Sequence, residues 1–253
     1  MNWIGLYTLT RREVERTFRL PTQTLVTPWI TALLYIFIFG RVVGSQIELI
    51  KGVPYINFVL PGILMLNIIA GSFGASSSSV YFKRFIRDIE EILVAPLSYA
   101  EMIIGFTVSA VIRSILIAIG ILVIAIFFGG ATINHLPLFL FYVASVASIF
   151  ALLGIIIGLW SNGFEQLSIL STFLITPLSF LGGVFYSVDM LPGKAKLIAL
   201  YNPFFYFIDG IRYSMIGIRE GSESTGFLMI IGLLVVLFTL TIYLFKIGWR
   251  LRE

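Results

Sequence analysis

The sequence contains no cysteine and one histidine, His135. Disulfides, zinc–thiolate sites and iron–sulfur clusters are therefore excluded, as is any metal site that needs two imidazoles. Charge is also scarce. Asp, Glu, Lys and Arg make up 12% of the 253 residues, whereas a soluble domain carries about 25%. Apolar residues reach 58%, against about 45–50% in soluble domains, and mean hydropathy is +1.01. A water-soluble domain of this length cannot hide so much apolar surface. Soluble enzymes, nucleic-acid-binding domains and disordered chains are excluded, and the bilayer is the main solvent.

Catalytic signatures are missing as well. No G-x-x-x-x-G-K-[ST] phosphate loop occurs; the Gly193–Lys194 pair is followed by Ala195. There is no G-x-S-x-G elbow and no H-E-x-x-H. The adjacent acids Glu90 and Glu91 project to different faces of a helix and cannot converge on one substrate proton. The chain carries no recognisable catalytic or metal-binding residues, and an enzyme is disfavoured.

What the sequence does contain is long apolar runs. About 20 such residues cross the hydrocarbon core as a helix. Six stretches qualify, at 24–40, 55–80, 102–128, 137–160, 166–186 and 226–247. They are continuous runs, not the ten-residue alternating segments of a membrane barrel. Six spans place both termini on one side. Arg11, Arg12, Arg16, Arg19, Lys83, Arg84, Arg87, Lys246, Arg250 and Arg252 fall on that side. Arg41, Lys51, Lys194, Lys196, Arg212 and Arg219 fall on the other. The richer side is expected to be cytoplasmic. The net charge of +4 is read as basic loops facing an anionic leaflet, not as a nucleic-acid partner.

The expected organisation is one all-α membrane domain over 1–253. Residues 1–22 form an interfacial helix, with Trp3, Tyr7, Val14 and Phe18 on one face and Arg12, Arg16 and Arg19 on another. No cleaved signal peptide is expected, because the first apolar run is too long for a signal core. Spans one to five occupy 23–186. Within them, Phe82, Phe85, Ile86, Ile89, Ile92 and Leu93 recur at helical spacing, so an amphipathic helix is expected over about 81–96, ended by Pro96. Its mixed charge favours docking to a partner over resting on lipid. Residues 187–225 read as two external re-entrant or interfacial helices separated at Asn202–Pro203, with Asp209 and Arg212 spaced to pair. Residues 226–253 hold the last span and a cytoplasmic tail.

Polar and small residues form stripes inside the spans. In the second span these are Asn67, Gly71, Gly74 and Ser78; in the fifth they are Glu165, Ser168, Thr172, Thr176 and Ser179. Both stripes admit two readings, a substrate route or a packing seam. In the fourth span Ala144, Ala147, Ala151, Gly154 and Gly158 read as packing. Arg113 lies near the middle of the third span, where a lone charge needs a partner or a function. No carboxylate at matching depth supplies that partner.

Four stretches carry a family resemblance: FVLPGILMLNII at 58–69, DIEEILVAPLS at 88–98, TPLSFLGGVFYSVDMLP at 176–192 and YNPFFYFIDGIRY at 201–213. In this order, with six spans and a basic N-terminus, the chain resembles the membrane subunit of ABC-2-type (type V) exporters over nearly its whole length. GGVFYS followed by LP looks more like the drug- and lipid-exporter branch than the polysaccharide branch. The resemblance implies a permease that pairs with a second copy of itself. It also implies two cytoplasmic ATPase subunits, which hold ATP and Mg, so this chain needs no cofactor. Arg87, Asp88, Ile89, Glu90, Glu91, Ile92, Leu93 and Pro96 would be the coupling helix, with Ile89, Ile92 and Leu93 as apolar anchors. Asn67, Gly71, Gly74, Ser78, Ser168, Thr172 and Thr176 would line the path, and membrane lipids would surround it. Phe185, Tyr186, Asn202, Pro203, Phe204, Phe205, Asp209 and Arg212 would form the external gate. The cargo class implied is lipophilic or amphipathic: a drug, a lipid, or a glycolipid or polysaccharide.

Two alternatives stand beside this. An ion-coupled secondary transporter would want acids at the midplane, and the spans hold none. A scaffold that moves nothing would show no flux of any cargo.

Overall fold

A computed structural model describes residues 2–47, 49–128 and 130–251. Arg252, one of the basic residues counted at the tail, lies outside the described residues. Helix α1 (Trp3–Arg19) starts on an Asn2 cap, whose side chain accepts from the Gly5 N–H. The first span runs from Thr22 to Val43. Its central helix α2 (Thr27–Phe37) is flanked by π-helical turns at Thr22–Val26 and Ile38–Val43. A two-residue hairpin, β1 (Leu49–Ile50) with β2 (Val53–Pro54), leads into the second span α3 (Tyr55–Phe85).

A short helix α4 (Asp88–Val94) then precedes the third span α5 (Tyr99–Phe127) and the fourth, α6 (Leu136–Trp160). The fifth span combines α7 (Phe164–Leu170), a π-helical turn at Ser171–Ile175 and α8 (Thr176–Leu181). After a 3-10 turn at Val188–Met190 come α9 (Gly193–Tyr201), α10 (Pro203–Ile216) and the sixth span α11 (Glu223–Lys246). All six sequence-derived spans are present as helices long and apolar enough to cross a membrane.

The bundle is built around α3. Of its most apolar window 83% of residues are buried, against 11% in the first span and 11% in the fifth. Without a hydrophobic force between helices in lipid, close backbone approach is what joins them. The α3–α6 seam shows this directly. A Cβ on Gly154 would sit 2.6 Å from the Phe73 carbonyl oxygen, and one on Gly158 would sit 2.7 Å from that of Ser77. The small-residue stripe of the fourth span is therefore a packing seam against the central helix. The first and fifth spans, by contrast, leave most of their surface open.

Where helices end, side chains close the backbone. The last carbonyls of α6 have no intrahelical donor. Arg84 Nη1 donates to Gly158 O at 3.0 Å, to Ser161 O at 3.1 Å and also to Leu159 O. A cation at a helix C-terminus also complements its dipole. The start of α5 is a capping box, in which Ser98 and Glu101 satisfy each other's backbone N–H. Glu101 in addition accepts from the Asn2 N–H, tying α1 to the foot of α5.

Candidate functional site

The helix expected over about 81–96 is two pieces. The second span continues to Phe85, and Arg87 adopts a left-handed conformation with φ 62° before α4 begins at Asp88. Charge favours the break. Asp88, Glu90 and Glu91 stand in the first turn of α4, where the helix dipole welcomes carboxylates. Lys83, in the last turn of α3, donates to Asp88 across the corner at 3.1 Å. Pro96 acts one step later than expected, because α4 already stops at Val94. Its ring holds Ala95 extended, with ψ 150°.

The short helix also turns a different face outward. Ile89 and Ile92 are buried against the chain's own core and Leu93 is half-buried, so none of them is a free anchor. The surface left open consists of Phe85, Ile86, Arg87, Glu90, Glu91, Val94 and Pro96, with Val94 87% exposed. The apolar stripe read from the sequence fastens α4 to its own bundle, and the acidic edge with Val94 is what a partner would meet.

Beside this corner lies a charge cluster that joins α1, α3 and α4. Glu13 is buried on the α1 stripe Leu9–Glu13–Thr17, which faces the protein. Its carboxylate takes Lys83 Nζ at 3.0 Å and Ser79 Oγ at 2.6 Å, with Arg16 at 3.6 Å. Asp88 is bridged by Arg12 at 2.9 Å as well as by Lys83. Burial pushes the Asp88 carboxyl up, but hydrogen bonds and charge from Arg12 and Lys83 outweigh it and hold it below the usual aspartate value. The aromatic face of α1, with Trp3, Tyr7 and Phe18, is exposed, as an interfacial helix requires.

The second-span stripe divides. Asn67 is buried and donates to Ile63 O at 2.9 Å, and a Cβ on Gly71 would press within 2.9 Å of Ile117 Cδ1. These two are packing positions. Gly74 and Ser78 instead border a cavity of about 530 Å3 between α1, α3 and α5. In the fifth span Ser168 and Thr172 are exposed, and Thr176 donates to Ser171 O at 2.9 Å at the end of the π-helical turn. Neither they nor Thr176 line that cavity, because the fifth span runs at the edge of the bundle.

At the opposite end the residues assigned to a gate form a packed cap. Asn202 closes α9 and opens α10: its Oδ1 accepts from Phe204 N and its Nδ2 donates to Leu178 O. Pro203 sits at the first helical position, where its missing N–H costs nothing. Helix α10 does not meet lipid as expected. Phe204, Phe205, Asp209 and Arg212 are all buried, and the helix packs against α3, α6, α8 and α11. Phe185 stacks on Phe39 of the first span at 4.1 Å, while Tyr186 is half-buried.

Asp209 and Arg212 do not bond to each other among the described residues. Asp209 accepts from the backbone N–H groups of Glu220 and Gly221, at 2.7 and 3.1 Å. Arg212 is fully buried; it donates to Gly183 O at 2.7 Å and to Phe58 O at 3.3 Å, and lies 3.9 Å over the Phe58 ring. Their common neighbour is Glu220, which takes Lys51 at 3.0 Å, the Val188 N–H at 3.0 Å and Arg212 at 3.9 Å.

Glu13, Lys51 and Glu220 were not singled out from the sequence. Their partners lie tens of residues away, and no fixed spacing announces such contacts. The one available signal was Glu13 itself, a carboxylate three residues before Arg16 and in register with Leu9 and Thr17.

Comparison with known proteins bears on this geometry. The ABC-2 type transporter family matches residues 5–216. The chain is 33% identical over 251 residues to the inner membrane transport permease YadH of Escherichia coli K12, covering 99% of this chain and 98% of that protein. It is 26% identical over 217 residues to nodulation protein J of Rhizobium meliloti, covering 85% and 82%. A further nodulation protein J, from Sinorhizobium fredii, is 21% identical over 216 residues. Six span helices, an N-terminal helix packed on the α3–α4 corner, and a family match across most of the length agree: the chain belongs to the ABC-2 type transporter family, as a multi-pass transport permease component.

Proposed function

We propose that the chain is the membrane subunit of an ATP-driven exporter in the inner membrane, with both termini cytoplasmic. Two copies form the translocation path and two cytoplasmic ATPase subunits, binding ATP and Mg, drive it. The cargo is lipophilic or amphipathic: a drug, a lipid, or a glycolipid or polysaccharide. The observation that carries this reading is the outward face of α4, where Val94 and the Glu90–Glu91 edge stand free beside the charge cluster of α1 and α3. A short helix with one face fastened to the bundle and the other open transmits a push as a rigid body. The cluster of Lys83, Asp88, Glu13 and Arg12 passes it to the central helix and to α1.

The names of the relatives support transport across an inner membrane. The open flanks of the first and fifth spans support a second copy, since Ser168 and Thr172 face outward there. Carboxylates on the span helices stand only in first turns, at Glu101, Glu165 and Glu223, which disfavours ion coupling through a midplane acid. The test is mild-detergent purification from native membranes followed by mass spectrometry of what travels with the chain. Two copies with two ATPase subunits are expected. A homomeric preparation that persists under crosslinking sinks the reading.

A further inference from the structure

The cavity between α1, α3 and α5 has an unbalanced lining. Arg12, Arg16, Arg19, Lys83 and Arg113 stand against two carboxylates, Glu13 and Asp88. Both carboxylates are already engaged, Glu13 by Lys83, Arg16 and Ser79, and Asp88 by Arg12 and Lys83. Among the described residues no hydrogen bond or ion pair reaches the guanidinium of Arg113, and its buried Nε has no acceptor. An unpaired cation inside a span is costly, so an occupant that supplies negative charge is the default explanation.

Geometry says where the charge sits. Arg113 is fourteen residues beyond Tyr99, roughly 21 Å along α5 at ~1.5 Å per residue. Side chains on a helix lean toward its N-terminus, which here is the end where α1 and α4 lie. Arg113 therefore leans toward the end of the cavity that Arg16 also lines. Both guanidinium groups border this one cavity, and guanidinium matches phosphate oxygens well.

The remaining wall combines apolar and hydroxyl-bearing residues, and its apolar strip points to a lipid as the source of that anion. Leu20, Phe82, Ile86, Phe106 and Ala110 line the same cavity. The apolar strip suits an acyl stem or glycerol backbone, while Thr17, Gln23, Thr24, Ser76, Ser78 and Ser109 in the same lining offer hydrogen bonds to a polar headgroup. We propose that this cavity binds the phosphate group of an anionic phospholipid from the adjoining leaflet, with Arg113 and Arg16 as its cationic partners. The site stands whether or not the lipid is cargo, and it supplies the partner for Arg113 that the described residues lack.

The test uses the full chain, stripped of lipid in detergent and titrated with phosphatidylglycerol or phosphatidylcholine, with bound lipid counted by native mass spectrometry. Phosphatidylglycerol is expected to be retained in preference to phosphatidylcholine. R113Q should weaken it about tenfold, and R113K, which keeps the charge, should retain most of the binding. A second variant does not depend on removing a charge. A Cβ at Gly74 meets nothing within 4 Å, so G74L should fill the cavity and displace the lipid with Arg113 intact. Equal retention of the two lipids, or binding by G74L as tight as by the unaltered chain, would overturn the proposal even if R113Q does not fold. Displacement of phosphatidylglycerol by inorganic phosphate over the same concentration range would overturn the lipid assignment.

Discussion

Lys83, on the last turn of α3, holds two carboxylates at once: Glu13 of α1 at 3.0 Å and Asp88 of α4 at 3.1 Å. One ammonium group thereby joins the interfacial helix, the central span and the short helix α4. The Lys83 and Glu13 side chains are both nearly fully buried, so this ion pair is shielded from solvent.

Removal of Lys83 should therefore cost more than removal of a surface ion pair. K83M leaves Glu13 buried with only Arg16 and Ser79, and a loss of about 3 kcal/mol is expected for a buried pair broken on one side. The double variant E13Q/K83M should lose less than the sum of the two single changes. Thermal unfolding in detergent, run as a double-mutant cycle, reads this coupling directly. Strict additivity contradicts it.

The two faces of α4 should separate stability from coupling. V94D alters an exposed position and should move stability by less than about 0.5 kcal/mol, yet it should abolish stimulation of the ATPase by the permease. I89D places a charge in the core and should destabilise by about 3 kcal/mol or more. Assays of unfolding and of ATPase activity in the same preparations distinguish these effects. If V94D keeps full stimulation, the outward face is not the contact.

Acidity should act through Asp88. Its carboxyl is held below the ordinary aspartate value, so its contribution is complete above that value and is lost as pH falls through the lowered one. Between neutrality and about pH 5 the stability difference between the unaltered chain and D88N should be constant. Below about pH 4 the difference should shrink as the aspartate protonates. Melting temperatures of both proteins across this range give the answer, and a difference that grows on acidification contradicts the bridge.

At the other end, Arg212 should act as a structural rivet. R212K keeps the charge but not the planar fork that reaches Gly183 O and Phe58 O together. R212M leaves Lys51 as the remaining cation beside buried Glu220, and a loss of about 3–5 kcal/mol is expected. Both variants should lower the melting temperature, R212M the more. A melting temperature unchanged in R212M would show that α10 does not depend on Arg212 for its place.

The six spans were legible because a bilayer demands long apolar runs, and such runs have no competing reading in a chain with so little charge. The α9–α10 boundary was legible for a local reason, since Asn202 caps and Pro203 starts a helix. The break at Arg87 was not. Apolar residues recur at three- and four-residue spacing from Phe82 through Leu93, so periodicity passes straight over a corner held by Lys83 and Asp88. The same blindness put Ile89 and Ile92 on a partner rather than in their own core. A hydrophobic stripe states that a face is covered and leaves open what covers it. The depth of α10 was missed because an apolar helix too short to span looks alike whether lipid or protein surrounds it. The contacts of Glu13, Lys51 and Glu220 are long-range and appear only when the chain is folded.

Absence of cysteine makes the central claim directly testable, because a single introduced thiol is unique in the chain. V94C, treated with a short thiol-reactive crosslinker in native membranes, should couple the permease to a cytoplasmic ATPase subunit identifiable by mass spectrometry. V235C, on an exposed apolar position of α11, should not. A V94C product containing the ATPase, absent from V235C, is the result expected. No product from V94C, or the same products from both positions, would contradict the assignment of α4 as the coupling helix.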